Sequence, residues 1–181
     1  MNDNTLSAPQ LSRRGLLKVG LLGTAFLATA GVTASLSGCS ASVPASGLST
    51  LRSSDLPFLR ALIPVILEGA VSAEKMSAAV EQSIHGMDYN LTRFSPEMQK
   101  LTIQLFDVLA LGLTRGPLTG VWGSWENASS SEVRNFLNRW QNSSLNLLRM
   151  GHGSLLQLVM LAWYGQPESW GHCGYPGPPK I

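Results

Sequence analysis

The sequence predicts an all-α protein, a small helical domain of about five helices closed by an extended Pro/Gly/aromatic tail. Three observations carry this reading. Helix punctuation recurs along residues 53–164, apolar residues return at three- and four-residue spacing between those signals, and no stretch alternates apolar and polar residues as a half-buried strand would. A chain of 181 residues is long enough for one domain once a leader is set aside.

Taken in order, Ser54 or Asp55 caps a first helix with Pro57 in its opening turn, running towards Glu68-Gly69. Pro64 lacks a backbone donor, so a kink or break is expected there. A second helix is expected from Ser72 to His85, ending at Gly86. The third has the fullest signals: Ser95-Pro96-Glu97 supplies a cap, a first-turn proline and a first-turn acid, and the helix runs from Met98 to about Arg115. Its leucines, Ile103, Phe106 and Val108 cover nearly every face, which requires a central place in the core or a covering partner. Gly116-Pro117 is expected to stop it, before a loop holding Trp122 and Trp125. Ser129-x-x-Glu132 reads as a capping box for a helix to Gln141, and a last helix spans about Ser144–Tyr164 with Gly151 and Gly153 as close-packing points. The prolines and glycines beyond Tyr164 argue against a regular helix, so that segment is expected to lie extended, as a clasp or as an arm on a partner.

Charge is informative once the chain is divided. Asp3, Arg13, Arg14 and Lys18 account for the whole formal +2, and the remainder carries ten basic and ten acidic residues. The isoelectric point near 8.7 therefore belongs to the leader. A body with no basic excess excludes a nucleic-acid binder of the electrostatic kind.

Residues 1–38 read as a signal peptide. Ser12-Arg13-Arg14-Gly15-Leu16-Leu17-Lys18 resembles the twin-arginine export motif, and an apolar run from Val19 to about Leu36 follows. A transmembrane anchor is the alternative, but the run sits near the lower length limit and is diluted by Gly and Thr. Leu36-Ser37-Gly38-Cys39 resembles the lipobox of bacterial lipoproteins, which makes Cys39 a lipidation site; plain cleavage near Ala34 or Gly38 is the alternative. Residues 39–52, rich in Ser, Ala and Gly, are expected to be a flexible tether between a membrane and the domain at 53–181.

The body's motifs resemble one family, the gluconate 2-dehydrogenase subunit 3 proteins. The residues are the Leu-rich stretch from Leu56 to Glu68, Arg93-Phe94-Ser95-Pro96-Glu97, Phe136-x-x-x-Trp140, Ala162-Trp163-Tyr164-Gly165-Gln166-Pro167 and Gly174-Tyr175-Pro176-Gly177-Pro178-Pro179. The resemblance implies a non-catalytic small subunit of a membrane-bound, FAD-dependent dehydrogenase acting on sugars or alcohols. It also implies a large flavoprotein partner of the glucose-methanol-choline type, with a cytochrome c subunit as a further candidate partner. The small subunit would lend its signal to the twin-arginine translocase, and the location would be periplasmic, at a membrane through Cys39. The lipobox is not required by the family, and His172-Cys173 has no family role to inherit.

The residues themselves support a non-enzymatic reading. His85, His152 and His172 are scattered, no His/Glu pair has metal-ligand spacing, and no Gly-x-Gly-x-x-Gly or Walker pattern appears, so no catalytic, metal or cofactor residue is expected and FAD is assigned to the partner. Trp122, Trp125, Trp170 and Tyr175 are the candidate partner contacts, because aromatics are enriched at interface centres. Cys173, unpaired if Cys39 is lipidated, is either a small residue in the clasp or an intermolecular disulfide partner. The rival class is a free-standing periplasmic lipoprotein that binds a small ligand or another protein.

Overall fold

The computed structural model describes residues 43–179; Arg13, Arg14 and Cys39 lie outside them. Seven α-helices are present among the described residues, and the fold is all-α. They are α1 (Leu56–Ile66), α2 (Ala73–Leu91), α3 (Pro96–Ala110), α4 (Gly112–Thr119), α5 (Ser130–Gln141), α6 (Asn146–Tyr164) and α7 (Pro167–Cys173), with a single 3-10 turn at Trp125–Asn127.

The short α1 is the centre of the body. It packs on α2, α3, α5, α6 and the 3-10 turn, and it buries Phe58, Leu59, Leu62 and Ile63 completely. Burying a side chain of this size contributes roughly 1.5–3 kcal/mol. A run of aromatic rings crosses the core from α3 to α5. Phe106 meets Phe58 edge-on at 5.0 Å, Phe58 lies 6.3 Å from Trp125, Trp125 meets Phe136 at 5.9 Å, and Phe136 meets Trp140 at 4.9 Å. Pro64 leaves a hydrogen bond unmade but is carried inside α1, which ends two residues later, short of Glu68-Gly69.

Two helix ends differ from the sequence reading because a glycine serves packing. Gly86 does not end α2, which continues to Leu91. A Cβ there would stand 2.8 Å from the Ala162 carbonyl oxygen and 2.7 Å from Gln166 Nε2, so Gly86 is where α2 and α6 touch. Gly116-Pro117 does not stop a helix either. Instead the long third helix breaks at Leu111, whose ψ is 121°, and Gly116 and Pro117 lie inside α4. The Trp122 ring fills the place of a Gly116 side chain, with Cε3 2.5 Å from where a Cβ would be. The helix ends at Gly120 in the left-handed conformation. The capping box at Ser129 and Glu132 is formed on both sides. The Ser129 hydroxyl and backbone amide hold the Glu132 carboxyl below its usual range.

The ends of the body also differ. The tether does not extend to residue 52: Ala45 and Leu51 are buried, and Pro44 bridges Arg52. Beyond Tyr164 the chain is not extended throughout. Pro167 opens α7, a position where its missing donor costs nothing, and Gly174 in the left-handed region closes it. The last described residues curl back on this helix, where the Tyr175 amide donates to the Trp170 carbonyl at 3.0 Å.

Because Ala162 is backbone-fixed, Gly86→Ala is expected to force α2 and α6 apart and cost about 1–3 kcal/mol. Urea denaturation of the purified body measures this. An unchanged midpoint would remove the close contact as the reason for glycine.

Candidate functional site

Helix α3 is not central to the core. It buries only Thr102, Phe106 and Leu109, and the apolar residues on its other face are left over. Met98, Leu101, Leu105 and Val108 are spaced at three and four residues, so they form one stripe. Helix α6 has the same division of labour. Leu155, Leu158, Val159, Ala162 and Trp163 are buried, while Leu147, Met150 and Leu161 stand at least half exposed. The two leftover stripes face each other across an open groove of about 680 Å³.

Phe94 and Leu145 belong to its lining, and Trp140 and Leu118 join the two helices beneath it. The Trp140 ring reaches this position because residue 151 is glycine: a Cβ there would be 2.6 Å from Trp140 Cζ3. Its Nε1 donates to the Leu118 carbonyl at 2.9 Å, so the indole is fixed at both ends. The lining contains no Asp, Glu, Lys, Arg or His. Its polar members are Gln104, Gln157, Ser154 and Thr102, and the Thr102 hydroxyl is already spent on the Met98 carbonyl at 2.9 Å. An uncharged wall of flexible Met and Leu side chains can gain from burial of an apolar surface; it offers no group for acid–base chemistry.

The aromatic residues singled out in the sequence are separated by the fold. Trp125 is a core residue, 3% exposed, and its Nε1 donates to the Leu109 carbonyl at 2.7 Å. Its ring is therefore not presented to a partner, which corrects the expectation. Trp122 is 77% exposed and rests on Gly116. Trp170 and Tyr175 do come together, edge to face at 5.4 Å, with Gly177 against the Trp170 ring. Cys173 is a free, exposed thiol at the end of α7. None of these residues lines the groove. The sequence does not show the groove as a site, although the excess of apolar residues on α3 is its signal.

Among the described residues, no cluster of three or more His, Cys, Asp or Glu side chains is placed to hold a metal. His152 is partly buried, and desolvation pushes its imidazole below the ordinary histidine range. Among the described residues, no helix is long and apolar enough to cross a membrane.

Fold and groove define a small all-α chain with an open, uncharged apolar cleft. No family model, no curated protein and no solved structure matches it.

Proposed function

We propose that the chain is a non-catalytic small subunit. It escorts an FAD-dependent dehydrogenase of the glucose-methanol-choline type through the twin-arginine route and remains bound to it at the membrane. The observation that carries this reading is the groove between α3 and α6, an apolar surface with the uncharged, Met-containing character of an interface core. An exposed apolar cleft rimmed by polar residues is a common place for a partner to dock. The twin-arginine resemblance at Arg13 and Arg14 supports the export part of the reading, and the closing elements from Ala162 to Pro179 carry the family resemblance. The flavin resides in the partner.

The test is made in the native host. Replacing Arg13 and Arg14 together by lysine is expected to move the flavoprotein from the periplasm to the cytoplasm, by at least tenfold in fractionated flavin content. A flavoprotein that still reaches the periplasm would sink the escort role. Leu101→Glu with Leu147→Glu, both at exposed positions, is expected to abolish co-purification while the helical circular dichroism is retained.

A second reading uses the same groove. Its volume lies in the range of small-molecule sites, which favours a free-standing lipoprotein carrying an apolar ligand. Purification from the native host separates the two: a stoichiometric flavoprotein supports the first, and a monomer with a bound apolar molecule supports the second.

A further inference from the structure

Residues 43–52 look in the sequence like a loose leash, yet their backbone is tied down at several points. The Ala45 amide donates to the Leu51 carbonyl at 2.8 Å, and Gly47 turns the chain with φ of +80°. Leu51 is wholly buried in the main core. Arg52 is fixed by the Asp55 carboxylate and by Asp107 Oδ1 on α3 at 2.7 Å.

The principal tie is Asp88, near the end of α2. Its Oδ2 accepts from the Ser49 amide, and its Oδ1 accepts from the amides of Thr50 and Leu51, each at 2.8 Å. Three successive backbone donors converging on one carboxylate make a charge-assisted clamp. Asp88 is buried, so these amides replace its water. Withdrawing the segment without resolvating the carboxylate would leave a bare charge, which is strongly unfavourable. The segment therefore closes when α2 is folded and positioned, and Arg52 extends the same condition to α3.

We propose that residues 43–52 are a latch, closed by Asp88, that sets how far the folded body can stand from its N-terminal attachment. Chain geometry gives the size of the effect. Cys39 is four residues before Val43, so with the latch closed the chain lets it stand no more than about 14 Å from the first held residue. With the latch open the first held residue is in α1, and the reach from Cys39 to Leu56 grows to about 60 Å. Where Cys39 carries a lipid, a point that rests on the reading above, the closed latch keeps the body at the membrane surface. An open latch would let it swing free on a chain several times longer.

Hydrogen–deuterium exchange on the full chain tests the latch without any partner. In the wild type, the amides of residues 49–51 are expected to be protected at least a hundredfold over free-chain rates. Asp88→Ala is expected to reduce that protection at least tenfold, while the amides of α5 and α6 keep theirs. Should Asp88→Ala unfold, Thr50→Pro serves instead, since it deletes one donor and leaves α2 untouched. Free-chain exchange at 49–51 in the wild type would overturn the proposal, and so would full protection there in a folded variant. Lipidation is tested separately. If Cys39→Ser leaves the chain in the membrane fraction, the stand-off consequence falls while the latch stands on its exchange data.

Discussion

Asp55→Ala is expected to destabilise the body by about 3–5 kcal/mol, the usual cost of stranding one member of a buried ion pair. The Asp55 side chain is wholly buried, and that of Arg52 nearly so. The carboxylate accepts from the Arg52 amide at 2.9 Å, from Nε at 3.0 Å and from Nη2 at 2.8 Å, a bidentate pair closed by a backbone bond. The Asp55 hydrogen bonds are the main reason the guanidinium is held above its ordinary pKa. Asp107 remains to Arg52 in the variant, but its side chain is about half exposed, so solvent weakens that attraction. Because Asp107 still takes up part of the Arg52 charge, the lower end of the range is expected. Glu68→Ala is the control. It breaks the pair with Arg134, both partners being about half exposed, and is expected to change stability by no more than about 0.5 kcal/mol. Urea denaturation of both variants gives the comparison, and equal effects would show that burial is not what makes the Asp55 pair strong.

Trp140→Ala is expected to cost a further 3–5 kcal/mol on its own, the range for removing a buried tryptophan. It removes the edge-on contact with Phe136, strands the Leu118 carbonyl and opens the floor of the groove. The variant also changes what residue 151 tolerates. In the wild type Gly151→Ala is expected to be destabilising, because the new methyl group would sit 2.6 Å from the indole. In the Trp140→Ala background that obstacle is gone, and alanine's helix preference, worth about 0.8–1 kcal/mol over glycine, is expected to make the same change stabilising. A double-mutant cycle reads the reversal directly. Additive effects would mean that the indole does not dictate the glycine.

The helical class was legible because it rests on local chemistry. Ser95, Ser129 and Glu132 act within one turn of themselves, and both caps form where the sequence puts them. The boundaries that went astray depend on distant atoms. Gly86 and Gly116 have the composition of helix stops, but their reasons are Ala162 and Trp122, contacts that no local pattern records. The tail departs from the expectation because Pro167 does not break a helix but stands at the first position of one, where proline is at home. The tether departs from the expectation because Ser49, Thr50 and Leu51 look like solvated chain until Asp88 meets them from 37 to 39 residues away. The groove was half legible. An apolar stripe on α3 beyond what a core needs is visible in the sequence, but that a matching stripe on α6 faces it is a fact of packing. Trp125 and Trp122 show the limit most plainly, since two residues of one kind in one loop went to the interior and to the surface.

The central place of α1 bears on when the protein can finish folding. This helix comes early in the chain, yet its partners include α5 and α6, and residue 164 has to emerge from the ribosome before the last of them is complete. Until then Phe58, Leu59, Leu62 and Ile63 lack part of their cover, and a nascent chain in that condition offers a greasy helix to any chaperone nearby. Maturation is thus set late, by sequence-distant pairing, and residues 1–42 are synthesised long before there is a finished body behind them.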